Sequence, residues 1–224
     1  MEANVMDNTR PRVWAWLAIC AIELGEINLA KQAVNFAANE DQVSKDVLDP
    51  STALELVEHC LMFSDEDKIE SEGTDSNVIE GVVVCAKIRA GLYSKQAIMV
   101  CEKIIARATA GSLEGAIADA EGNNADGSKQ NPQNEVDELS LGKAHYYLAR
   151  AHHLDRQFRE AFLAYRVSIA FFFNREDFLS EIETHALKCC EQIKDQYRIE
   201  DVIKDDLVVA RERSQLERQE DDLT

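Results

Sequence analysis

The chain has 224 residues, 46% of them hydrophobic, which suits one domain or one compact array with a sizeable core. Its formal net charge of -18 disfavours nucleic acid and anionic membrane surfaces, because basic faces supply the affinity for both. Three prolines and nine glycines are too few for an all-β chain full of turns. The first eight residues are polar and acidic and lack the basic segment that opens a signal peptide. The longest apolar run, residues 13–22, is too short to span a bilayer. Six cysteines, most on apolar helix faces, read as reduced core thiols of a cytosolic protein.

Residues 12–37 predict two short amphipathic helices joined at Leu24-Gly25-Glu26. Trp14, Leu17, Ala18 and Ala21 recur at three- and four-residue spacing and so share a helix face. Gly25 ends that helix, since glycine alone enters the left-handed region without steric cost. Ala30, Val34 and Ala37 form the matching stripe on the second helix. A helix is expected over residues 47–63, with Pro50 in its first turn and Ser51 or Thr52 as cap. Its stripe is Leu54, Val57, Cys60, Leu61 and Phe63. Residues 64–77 read as an acidic loop.

The helical pattern resumes over residues 78–108. Val82, Cys85, Ala86, Ile88 and Ala90 precede a turn at Gly91. Ala97, Ile98, Cys101, Ile104 and Ile105 follow it. Residues 110–139 are rich in Gly, Asn, Asp and Ala and predict a flexible insertion, with a short helix at 113–120. Residues 143–173 form the next helical pair. Residues 175–196 are amphipathic through Phe178, Leu179, Ile182, Ala186, Cys189 and Ile193. Residues 199–216 predict a last, charged helix whose stripe (Ile199, Val202, Ile203, Leu207, Ala210) fades toward an acidic, frayed tail at 217–224.

Residues 12–37 resemble a tetratricopeptide repeat, a helix–turn–helix unit of about 34 residues. Trp14 and Leu17 fall on the family's first-helix Trp and Leu, and Ala18 on the adjoining small residue. Gly25 falls on the turn Gly, and Ala30 and Ala37 on the two second-helix Ala positions. Ala21 and Val34 replace the usual aromatics, and Gln42 the terminal Pro. In residues 143–173, Leu148, Ala149, Phe158, Ala161 and Tyr165 match, while His145, Arg156 and Ser168 replace the Trp, the turn Gly and the last Ala. Ala97 stands about two family periods after Ala30, so residues 43–76 would hold a degraded copy. The resemblance implies an all-α fold: an α-solenoid of repeat pairs over residues 1–224, closed by a C-terminal capping helix.

Few motifs carry chemistry. His185 and Cys189 stand one helical turn apart, a spacing that can ligate a metal, with Cys190 beside them. The same spacing suits a core cysteine and a boundary histidine, and no second ligand pair follows at zinc-site spacing. His59-Cys60 resembles a catalytic dyad, but adjacent helical residues point apart. Asp65, Asp67 and Glu70 fail the calcium-loop pattern, whose sixth and twelfth positions fall on Glu70 and Ser76. No phosphate-binding or nucleophile-elbow motif is present.

The repeat register assigns the inner groove. In the first unit it holds Arg12, Ala15, Ile19 and Ile22, and in the third Lys143, Tyr146, Arg150 and His153. A basic, aromatic face in an acidic chain fits an acidic or C-terminal peptide. The plainer account is a set of exposed helix residues paired with nearby acids. The family's chaperone-tail clamp uses Lys and Asn where Ala15 and Ile19 stand here. The expectation is a non-catalytic interaction module or scaffold subunit, with candidate contacts at Arg12, Ile19, Ile22, Lys143, Tyr146, Arg150 and His153. Its partners would be other proteins, bound as a peptide, a helix or neighbouring subunits; no cofactor, nucleic acid or membrane is expected. By analogy alone, a cytoplasmic, cytoskeletal or ciliary assembly is the expected setting. The competing expectation is a helical enzyme or metal protein using His152, His185, Cys189 and Cys190.

Overall fold

The computed structural model describes residues 10–38, 48–63, 91–110, 136–193 and 196–221, and every regular element among them is a helix. α1 spans Pro11–Glu23, α2 Ile27–Ala38 and α3 Pro50–Met62. α4 lies within residues 91–110. α5 spans Glu138–Leu154, α6 Phe158–Phe171, α7 Glu176–Cys190 and α8 Gln196–Asp221. The all-α class therefore holds for the described residues. None of their helices is long and apolar enough to cross a membrane.

The turns of two helix pairs close in the same way. Gly25 has φ 72° and donates its N–H to Ile22 O at 3.0 Å, while Glu26 N–H reaches Ala21 O at 2.8 Å. Arg156 has φ 61°, and its N–H reaches His153 O at 3.1 Å, while Gln157 N–H reaches His152 O at 2.8 Å. Both are Schellman closures, so Arg156 holds the backbone that Gly25 holds without a side chain. Gln157 adds support: its side chain bonds His152 Nδ1 at 2.7 Å and Asp155 at 2.8 Å.

Small residues let the paired helices approach. Ala15, Ala18 and Ala21 of α1 and Ala30, Ala33 and Ala37 of α2 are buried, as are Ala149, Ala161 and Ala164 of α5 and α6. The contacts run in two rows. α1 packs on α3, α3 on α5 and α5 on α7; α6 packs on both α7 and α8. Two apolar clusters result. The first joins α1–α4 with Ala144 and Ala151 of α5. The second joins α5–α8 around Tyr146, Tyr165, Leu179, Ile182 and Ile203. Tyr147 and Leu148 of α5 touch both. Polar ties fasten the remaining elements. Lys103 Nζ donates to Ala38 O, and Arg107 Nη1 donates to Leu48 O at 2.7 Å, holding α4 to the pairs before it. Arg211 of α8 bonds Glu176 at 3.0 Å and Glu183 at 2.8 Å on α7.

Several boundaries differ from the sequence expectation. Asp49, not Ser51 or Thr52, caps α3: its carboxylate accepts Thr52 N–H at 2.9 Å, because Pro50 already fills the first helical position. Phe63 is 40% exposed just past the end of that helix and lies outside its stripe. Gly91 is helical rather than in a turn. The expected insertion at 110–139 is too long at both ends. Ala110 is helical, and α5 begins at Glu138 because Asp137 accepts Ser140 N–H at 2.7 Å. α7 stops at Cys190, short of residue 196, and α8 runs to Asp221, beyond the expected start of the tail. The acidic loop at 64–77, the stripe at 82–90 and the short helix at 113–120 lie outside the described residues.

Candidate functional site

Lys143, Tyr146, Tyr147, Arg150 and His153 recur at helical spacing and line one side of α5. α7, the next helix in the same row, supplies Phe178, Glu181, His185 and Lys188 at the same rhythm. Between these faces lie two adjoining cavities that share Arg150. The smaller, of about 360 Å³, lies among α3, α5 and α7 and is lined by Glu58, Leu61, Lys143, Tyr147, Arg150, Phe178 and Glu181, among others. The larger, of about 680 Å³, is lined by Arg150, His153, Arg156, Tyr165, His185, Lys188 and Glu191, among others. Five side chains that can carry positive charge, Arg150, His153, Arg156, His185 and Lys188, thus face one space in an acidic chain.

Two tyrosines brace this surface from beneath. The Tyr146 hydroxyl donates to Glu181 Oε1 at 2.7 Å and lies 3.1 Å from His185 Nδ1. His185 Nδ1 also meets the Glu181 carbonyl at 2.9 Å, which fixes the ring by a backbone bond one turn back. Tyr165 lies 3.5 Å from His153 Nδ1. Burial pushes Tyr147 up to about 12, and burial with the Glu181 bond raises Tyr146 further, so both stay neutral donors. Burial also lowers the pKa of His153 and His185, and nearby Arg150 and Lys188 disfavour a further charge on either ring. At neutral pH the fixed cations are therefore the Arg and Lys side chains. Lys143 and Arg175 sit 5.9 and 5.8 Å from the centre of the Phe178 ring, within cation–π range.

The residues expected from sequence divide clearly. Lys143, Arg150 and His153 line the cavities together. Tyr146 also borders the smaller cavity, but it is 2% exposed and its hydroxyl is held by Glu181. Ile19 and Ile22 are not on an open groove: both are buried in the first cluster, because α1 packs against α2 and α3 at once. Arg12 is exposed on α1 and lines neither cavity. Glu181, His185 and Lys188 of α7 complete the surface, and their spacing in residues 176–190 was the signal for them.

The Cys and His residues of the competing expectation are dispersed. His152 bonds Gln157 at the turn, His185 bonds Tyr146, and Cys189 Sγ lies 3.4 Å from Phe158 O. Burial raises the Cys189 thiol to about 12 and Cys190 to about 11, which opposes formation of ligating thiolates. Among the described residues, no group of three or more His, Cys, Asp or Glu stands close enough to hold a metal. His59 turns to the Glu55 carbonyl at 2.9 Å and to Glu23 at 3.5 Å, while Cys60 is buried in the first cluster with its thiol raised to about 12. Comparison of the chain with protein-family models, curated proteins and solved structures found no match.

Proposed function

We propose that the chain is a non-catalytic interaction module, an α-solenoid of tetratricopeptide-like pairs that receives an acidic peptide along α5 and α7. The row of α1, α3, α5 and α7, each packed on the next, supports the solenoid reading. So do the matched turns at Gly25 and Arg156. The observation that carries the function is the pair of adjoining cavities with Arg150 between them and Lys143, Arg156 and Lys188 around them. Guanidinium groups bind carboxylates through paired, charge-assisted hydrogen bonds, and an acidic segment has several to offer. On this reading the protein works in the cytoplasm as an adaptor or as a subunit of a larger cytoskeletal or ciliary assembly. The four buried free cysteines among the described residues suit that reducing setting.

The test is fluorescence anisotropy with a labelled Glu- and Asp-rich decapeptide. The wild-type chain binds it, and binding weakens as salt rises. The variant Arg150→Glu/Lys188→Glu binds at least about tenfold more weakly, or about 1.4 kcal/mol. Equal binding by the two chains sinks the reading.

A further inference from the structure

One face of α1 is apolar and open. Val13 is 47% exposed, Trp16 43% and Leu24 79%, and Cys20 is exposed between them. Their spacing of three, four and four residues sets them in one stripe along the helix. Isolated apolar residues are ordinary on a surface, but a continuous stripe that includes a tryptophan marks an interface.

The second half of the chain shows what such a stripe is for. Aligning the two Schellman turns, Gly25 on Arg156, puts Val13, Trp16, Leu17 and Cys20 in the places of Ala144, Tyr147, Leu148 and Ala151. On α5 those four residues belong to or pack on the first cluster, against the helix that precedes α5 in its row, and Ala144 and Ala151 are fully buried. The α1 stripe is therefore a helix-packing face, and none of the described helices covers it.

Charge at its edge selects the occupant. Arg12 stands four residues before Trp16 and Glu23 seven after it, so both flank the same edge, one near each end of α1. Two copies of α1 laid antiparallel about a two-fold axis bring that edge against itself. Arg12 of each copy then meets Glu23 of the other, whereas a parallel two-fold pairing sets the two copies of that edge on opposite sides and forms no such pair. A head-to-tail continuation of the stack through α7 fares worse, because the exposed positions of that helix, Glu176, Asp177, Ser180, Glu181, Thr184 and Lys188, are all polar or charged. We infer that this face is a self-association surface through which two chains pair by antiparallel α1 helices. The interface is separate from the cavities of α5 and α7 and does not depend on their function.

Sedimentation velocity over a range of about 1 to 100 μM spans the affinities expected of an interface this small. The expected result is a concentration-dependent shift from the 25.2 kDa monomer toward twice that mass. Trp16→Glu, with unchanged helical circular dichroism, stays monomeric. Arg12→Glu and Glu23→Arg each weaken the dimer about five- to tenfold, since the two-fold axis repeats every clash, and the doubly swapped chain recovers it. Glu23 also contacts His59 at 3.5 Å, so thermal melts of the charge variants check that the fold is kept. A wild-type monomer at every concentration overturns the inference and leaves the stripe to a helix of another protein. So does a dimer indifferent to Trp16→Glu, or a double swap that fails to restore pairing.

Discussion

Arg156 makes the clearest quantitative prediction. It holds φ 61° in a turn whose counterpart is Gly25 at φ 72°. A residue with a Cβ pays roughly 1–2 kcal/mol for the left-handed region, from the clash of Cβ with the following carbonyl. Replacing it with Gly removes that strain but adds freedom to the unfolded chain, worth about 0.4–1 kcal/mol the other way. The turn's own hydrogen bonds, from the N–H groups of residues 156 and 157, are backbone bonds and survive the change. Measured against Arg156→Ala, which loses the same side chain, the net expectation for Arg156→Gly is a gain of about 0.5–1 kcal/mol, or roughly 1–4 °C in Tm for a chain of this size. Urea titrations followed by circular dichroism at 222 nm read it directly. Gly25→Ala is the mirror experiment and lowers stability by a similar amount. A midpoint for Arg156→Gly no higher than that of Arg156→Ala, with the slope unchanged, refutes the strain argument.

Two further predictions test the packing and the histidines. A Cβ on Gly142 would lie 2.8 Å from Phe171 Cβ and about 3.1 Å from the Phe172 ring, so Gly142→Ala should cost about 1–2 kcal/mol despite alanine's better helix propensity; a neutral or stabilising result in the same titration counts against the close approach of α5 and α6. Burial lowers the pKa of His145, His153 and His185, so the unfolded chain takes up their protons near pH 6.5 while the folded chain resists. The stability they contribute is whole above that pH and is lost as pH falls below it. His185→Gln should therefore narrow the difference in Tm between pH 7.5 and 5.5, and an unchanged difference speaks against a buried neutral ring.

The parts of the fold legible in the sequence are those where one local rule dominates. Residues 12–37 gave α1 and α2 to within a residue or two, because Gly25 is a strong stop and small residues mark the paired faces. The Asp49 cap was missed although Pro50 pointed to it: a proline in the first turn puts the cap one residue earlier. Ile19 and Ile22 show the limit of a one-face reading. A helix with neighbours on two sides buries more than one stripe, and periodicity alone does not say which second stripe is covered. The site was half legible. Its cations on α5 stood out against the acidic background, but their neighbours on α7 come from a different helical pair, and only packing brings them together. Tyr146 matched the pattern of a groove residue, and its 2% exposure follows from its hydroxyl turning toward α7.

The two apolar clusters meet at α5. That helix contributes Ala144 and Ala151 to one side and Tyr146 and Ala149 to the other, and Tyr147 and Leu148 belong to both margins. It is thus a party wall between two compartments. Loosening the second compartment takes away the support behind the cavity-lining side chains, yet leaves α1 and its open stripe backed by the first. Damage crosses from one compartment to the other only by moving the wall itself. Substitutions at Tyr147 or Leu148 therefore reach further through the molecule than equal losses of volume elsewhere, and deletions in either half can be borne separately as long as α5 keeps both its faces.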